Sequence, residues 1–259
     1  MRIDIIIPEK WDDLTEWQHN RIGWILFNKL FQGEFFKYAI LMVLLTPKPT
    51  FKNAVKIFYL LSRVPLEDLL QYTDFVFDSE AILTRFRPYY KVKSGFKKVN
   101  IYGPSQRLAN ISILELSYAD TFFYNWITEG KDIDLHRLCA VLYRPLNSPF
   151  SESNLVANSK LTDTIPLHQK YMIALAYQGS RTVFIKRYPH VFPKSKSQEK
   201  KPKKGKKAYH PFTSVINAMV MDEVQPFGPL DKAEQANANK FLEIFNEMLL
   251  RQKRQKTKK

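Results

Sequence analysis

Residues 112–130 read Ser-Ile-Leu-Glu-Leu-Ser-Tyr-Ala-Asp-Thr-Phe-Phe-Tyr-Asn-Trp-Ile-Thr-Glu-Gly, and their reading decides the fold class. Ser112 followed three residues later by Glu115 is a capping box, in which a hydroxyl and a carboxylate satisfy backbone N–H groups that a helix start leaves without partners. Behind it Leu116, Ala119, Phe123, Trp126 and Ile127 recur at helical spacing. Gly130 then offers the left-handed residue on which such helices end. Start, period and stop together predict a helix.

The same grammar extends in both directions. Thr15-Glu16-Trp17-Gln18 has the capping-box form and opens a helix carrying Ile22, Ile25, Leu26 and Leu30. Gly33 separates it from an apolar helix over residues 34–45, which Pro47 and Pro49 terminate. A third helix over residues 51–63 places Val55, Phe58, Tyr59 and Ser62 together. Pro65 fits the first turn of a fourth, with Leu66, Leu69 and Leu70. Downstream, Asp132 or Asp134 caps a helix over 135–143 that Pro145 stops. Residues 146–164 are polar and read as a loop. A helix over 167–188 follows, offering Met172, Leu175, Ala176 and Phe184 for packing. Helices over 212–221 and 232–250 flank Phe227-Gly228-Pro229, and the last repeats Phe241, Ile244, Phe245, Met248 and Leu249 at helical spacing.

Strand signals are few. Residues 2–7 alternate loosely and end at Pro8, Phe75-Val76-Phe77 is a short strand candidate, and residues 86–92 and 96–102 flank a Ser94-Gly95 hairpin turn. The expected class is mainly α (α+β): a multi-helix body with an N-terminal strand and a small β-hairpin insertion near 75–102.

The charge is unevenly spread. Residues 194–207 hold eight lysines and one acid, net +7, and residues 251–259 hold six basic residues and no acid, net +6. Removing both from the total of +15 leaves the rest at +2, so the basic pI describes appendages. The expected organisation is a body over 1–193, a flexible linker over 194–207, a C-terminal helical segment over 208–250 and a basic disordered tail over 251–259. The 11-residue run 35–45, interrupted by Lys37, falls short of the roughly 20 residues of a membrane span. A soluble chain with no membrane partner is expected.

Chemistry-bearing patterns are sparse. His136 and Cys139 lie three apart on one helix, the spacing of a thiolate–imidazole pair, but no oxyanion-hole signature accompanies them. Asp132, Asp134 and His136 read as helix caps and a surface histidine in preference to metal ligands. His19, His168, His190 and His210 stand alone. Gly103-Pro104 and Gly228-Pro229 lack the successive free N–H groups of a phosphate loop and read as turns. No catalytic, cofactor-binding or metal-binding residue is assigned, and the chain is expected not to be an enzyme. The anion or nucleic-acid contacts it offers are Lys200, Lys201, Lys203, Lys204, Lys206 and Lys207 in the linker, and Arg251, Lys253 and Arg254 in the tail. Phe241 and Phe245 are the candidate partner contacts.

Three stretches carry a resemblance when taken together: Trp11-Asp12-Asp13-Leu14-Thr15-Glu16-Trp17-Gln18, Tyr102-Gly103-Pro104 through Glu115, and Leu138-Cys139-Ala140-Val141-Leu142-Tyr143-Arg144-Pro145. The combination resembles proteins encoded in the tail-gene neighbourhoods of Bacteroidetes phages and prophages, and the stretch 227–245 is similar in character to their ends. The resemblance touches about half of the chain and carries packing and turn motifs only. It implies a role in tail morphogenesis, as an assembly chaperone or a minor virion component. Tape-measure or tube proteins are the implied partners, with the bacterial host cytoplasm during assembly as the implied location and the virion as a second one. The alternative is a nucleic-acid-binding accessory protein that uses its lysine-rich segments.

Overall fold

A computed structural model of the chain describes residues 5–28, 34–78, 82–193, 212–221 and 226–257. The first helices are α1 (Glu16–Asn28), α2 (Glu34–Leu45), α3 (Phe51–Leu61), α4 (Leu66–Leu69) and α5 (Asp74–Phe77). A hairpin of β1 (Tyr89–Ser94) and β2 (Lys97–Tyr102) follows, then α6 (Ile113–Glu129), α7 (Asp132–Leu142) and the two-residue β3 (Arg144–Pro145). The chain continues through α8 (Leu155–Thr162), α9 (Leu167–Arg187), α10 (Phe212–Val220), α11 (Leu230–Glu234) and α12 (Ala238–Thr257). The protein is mainly α with one small antiparallel sheet. It divides into two compact units: Met1–Arg87 with Ile165–Gly179, and Pro88–Thr164 with Ser180–Lys259. The boundary falls inside α9.

In the first unit, the capping box foreseen at Thr15 does more than start α1. The Thr15 backbone N–H donates to Gln18 Oε1 at 2.9 Å, and the Gln18 N–H donates to Thr15 Oγ1 at 3.3 Å. The same Gln18 amide, buried, donates from Nε2 to the carbonyls of Leu44 (2.7 Å) and Val43 (3.3 Å), while Thr15 Oγ1 donates to Pro47 O at 3.0 Å. One amide therefore closes the start of α1 and the orphan carbonyls at the end of α2. Leu41, Leu45, Ile57 and Leu69 form an apolar cluster, against which Ile5, Ile7, Leu60 and Leu61 pack. Two glycines permit close approach: a Cβ on Gly23 would overlap the Met172 side chain, and one on Gly179 would overlap the Leu83 backbone.

In the second unit, β1 and β2 pair from Tyr89↔Tyr102 to Ser94↔Lys97 around Gly95, whose φ of +60° the tight turn requires. β3 adds to β2 through Tyr102↔Arg144 and Ile101↔Pro145. Both halves of the Ser112–Glu115 capping box are formed, and Gly130 ends α6 with φ +69°. Glu115 also pairs with Arg144, and Asp120 pairs with Arg181, so each buried carboxylate of α6 faces a guanidinium. The chain's C-terminal part docks on the start of α6. The Ile113 N–H donates to Ala236 O and the Ala238 N–H to Ile111 O, both at 2.9 Å. Asn237 accepts from the Asn239 N–H at its Oδ1 and donates to Ala109 O.

Several expectations are corrected. Residues 5–7 form no strand, because Ile5 and Ile7 are taken up by the apolar cluster; residues 2–4 lie outside the described residues. Phe75-Val76-Phe77 is helical in α5. It continues a run of short helical turns from Leu66 in which Thr73 Oγ1 bonds back to Leu70 O at 2.7 Å, and this local bonding overrides β propensity. The loop over 146–164 contains α8, whose polar Asn158 and Thr162 face inward, with the Thr162 hydroxyl bonded to Asn158 O. Asp132 and Asp134 sit in the first turn of α7 and not at its cap, which is Lys131. The helix foreseen over 232–250 is broken at Asn237 into α11 and α12. The tail is helical through Thr257, since its Arg, Gln and Lys are good helix formers and cations favour a helix C-terminus. The described residues of 1–193 divide between two units, and those of 208–250 fall in the second. The linker over 194–207 lies outside the described residues.

Two tests follow from the packing. Replacing an interior helical glycine by alanine ordinarily stabilises by about 1 kcal/mol. Gly179→Ala is expected to lose about 1–3 kcal/mol instead, because the new methyl meets backbone that cannot rotate away. Urea unfolding of the two proteins gives the sign. The second concerns His19, whose Nε2 is sealed from solvent without a hydrogen-bond partner among the described residues. Burial first, then the nearby Arg85 and Arg87, push its imidazole down to about 4. The unfolded chain therefore binds the proton more readily, and stability falls as pH drops from about 6.5 towards 4. His19→Gln should remove roughly 2–3 kcal/mol of that acid dependence, read as the difference between the two pH profiles of unfolding free energy.

Candidate functional site

α3 carries two apolar faces where a surface helix needs one. Its N-terminus is set by Thr50, whose hydroxyl accepts from the Asn53 N–H at 3.3 Å, and by the Asn53 amide, which donates to Lys48 O at 2.9 Å. With that start fixed, Ile57, Leu60 and Leu61 turn towards the apolar cluster of the first unit. The residues at the opposite helical phase are Phe51, Val55 and Phe58, spaced i, i+4, i+7, and they are 87%, 49% and 77% exposed. Fully burying one such side chain is worth about 1.5–3 kcal/mol. Among the described residues nothing covers the stripe, which thus holds unused stabilisation in the arrangement expected of an interaction surface.

A row of cations runs along one flank. Lys52, Lys56 and Tyr59 follow each other at i, i+4, i+7, and beyond the helix end the Arg63 guanidinium lies 4.5 Å from the centre of the Tyr59 ring. Lys52 stands in the first turn, which contains no acid, so it opposes the helix dipole. On the far side of this row is a cleft of about 240 Å³ with Ile5, Ile6, Leu45, Pro47 and Ile57 among its walls, and Lys56 lines it as well.

The residues singled out from sequence fall elsewhere. Cys139 is fully buried in α7, while His136 Nδ1 lies 3.0 Å from Asp163 Oδ1 beside α8. Asp134, buried, pairs with Arg137. Among the described residues no group of three or more His, Cys, Asp or Glu is placed to hold a metal ion, and no helix is long and apolar enough to cross a membrane. Phe241 is fully buried and stacks on Phe227 at 4.8 Å, so it belongs to the core and is not a partner contact; Phe245 is half-buried. Arg251, Lys253 and Arg254 are exposed on α12; Arg251 and Arg254, three residues apart, share one side, and Lys253 is turned away from it. Lys200, Lys201, Lys203, Lys204, Lys206 and Lys207 lie outside the described residues.

The second unit has a cleft of about 350 Å³ where two of the quoted stretches meet, Tyr102-Gly103-Pro104 on one side and Arg144-Pro145 on the other. Its cation is already engaged. Arg144 Nε donates to Ser148 O at 2.7 Å and Nη1 to Val141 O at 3.0 Å, and Glu115 takes its charge. Gly103 is packed against the Tyr143 ring, which a Cβ would approach to 2.5 Å. These residues hold the sheet to α6 and α7, as a turn and packing motif would. The α3 face is therefore the candidate site. Helical spacing in the sequence places Val55, Phe58, Tyr59 and Ser62 together; the signal that this set is not the core is that Ile57, Leu60 and Leu61 form a second, competing apolar set. No protein-family model, curated protein or solved structure matches the chain.

If the stripe is a surface and not core, Phe51→Ser and Phe58→Ser together should change unfolding free energy by no more than about 0.5 kcal/mol per site. Phe241→Ser should cost about 3 kcal/mol or more. Denaturant titration of the three proteins separates the cases.

Proposed function

We propose that this protein acts by protein–protein contact, as a non-enzymatic phage tail morphogenesis protein of the tail-assembly chaperone or minor virion kind. The contact part of the reading is carried by the exposed Phe51, Val55 and Phe58 of α3. Three aromatic or branched side chains on one helical stripe match the way a groove or facing helix is engaged, through anchors at i, i+4 and i+7. The tail part is supported by the resemblance of the stretches around Trp11–Gln18, Tyr102–Glu115 and Leu138–Pro145, and it makes tape-measure or tube proteins the partners and the host cytoplasm the place of action.

Two measurements test the reading. A photo-cross-linking residue in place of Val55, in the full chain expressed with its neighbouring tail genes, should yield a covalent adduct with a tail protein. Disrupting the gene in its phage should leave DNA replication and heads normal and abolish functional tails, as seen by electron microscopy of lysates. Normal tails without the protein overturn the tail role. If DNA binding then shows a steep fall of log affinity with log salt, the lysine-rich nucleic-acid function takes its place.

A further inference from the structure

Resting on that contact reading, we infer that the partner segment docked on α3 is an acidic amphipathic helix: apolar residues at i, i+4, i+7 with carboxylates along one flank. The inference comes from the charge next to the stripe. Phe51, Val55 and Phe58 define a seam of two helical turns, and a seam of that form is filled by another helix whose apolar residues interleave with it. Of the charged residues on and just after α3, exposed Lys52, half-buried Lys56 and, held over Tyr59, Arg63 all stand towards one edge. Ala54 and Leu61 take the other edge and carry no charge. A cation row flanking an apolar seam selects a partner with acids on the matching flank, the logic by which flanking charges choose coiled-coil partners.

Lys52 adds a second reason. In the first turn of α3 it costs helix stability against the dipole, and the N-terminal dipole and the ammonium both attract a carboxylate. A facing helix with an acid at this level relieves both.

Two other occupants fit less well. A second copy of α3, packed antiparallel about a two-fold axis, brings the same flank of each helix together, so Lys52 and Lys56 would face the partner copy's own cations. An anionic membrane favours cations distributed around an inserted apolar tip. Here they line one edge of an elongated seam.

The test is selection of a displayed library of helical peptides, with apolar positions fixed and flanking positions random, on the immobilised full chain. The expected result is enrichment of Glu and Asp along one flank only. Selected peptides should bind at least about 30-fold more weakly to the Phe51→Ser, Phe58→Ser protein. They should lose about tenfold with Lys52→Glu, Lys56→Glu, and recover when the peptide acids are changed to Lys. Since Phe51, Lys52 and Phe58 are exposed and Lys56 is half-buried at the wall of an open cleft, circular dichroism should be unchanged in both variants. Absence of enrichment, enrichment without acids, or indifference to charge reversal overturns the inference. So does Phe51- and Phe58-dependent sedimentation with phosphatidylserine vesicles, or a dimer of the chain alone that these substitutions dissolve. A tail-protein adduct at Val55 combined with failed charge reversal would retire the acidic helix and leave the contact reading standing. Normal tails combined with selected acidic helices would retire the tail role and leave the acidic helix and the contact reading standing.

Discussion

The Glu115 carboxylate serves two ends at once, and the second unit is organised around it. One oxygen accepts the Ser112 backbone N–H at 2.6 Å and so completes the start of α6; the other faces the Arg144 guanidinium. Arg144 is also a residue of β3, which places the third strand on Tyr102. On either side of the cap residue, Ile111 and Ile113 make backbone hydrogen bonds with the segment that leads into α12. Helix start, sheet edge and C-terminal docking thus converge within a few residues. A buried carboxylate in such a place is tolerated only because donors meet it from both sides, and removing either leaves an uncompensated charge.

Gln18 does comparable work in the first unit with a neutral group. Its amide closes the N-terminus of α1 and, through Nε2, the last carbonyls of α2. The chain leaving α2 is thereby fixed before Pro47, and α3 begins at Thr50 with its phase already decided. That phase sends Ile57 inward and Phe51, Val55 and Phe58 outward. The interaction surface is a consequence of helix-end chemistry two elements upstream. A helix with apolar residues on both sides must expose one set, and which set is exposed depends on how its neighbours hold it.

Much of the fold was legible in the residues. The capping boxes at Thr15 and Ser112, the stop at Gly130, the turn at Gly95 and the long α9 each rest on local signals whose chemistry acts over four residues or fewer, so no distant contact can easily override them. Two of the errors share a cause. The break at Asn237 depends on Ala109, more than a hundred residues away, and the inward face of α8 depends on neighbours that make polar Asn158 and Thr162 interior. Phe241 shows the same limit. Its helical spacing fits a core and also a docking face, with self-packing the more common case, and its full burial against the stacked Phe227 assigns it to the core.

By itself the sequence determined the helical class, most helix ends, the hairpin and the concentration of charge in two short segments, because period, capping and composition are properties of neighbours along the chain. Tertiary structure decided which apolar stripe of α3 is surface, that Cys139 is buried while His136 pairs with Asp163, and that the C-terminal helix is anchored at the start of α6. Burial is a relation between segments far apart in sequence, and an amphipathic pattern states that a face exists without stating what covers it.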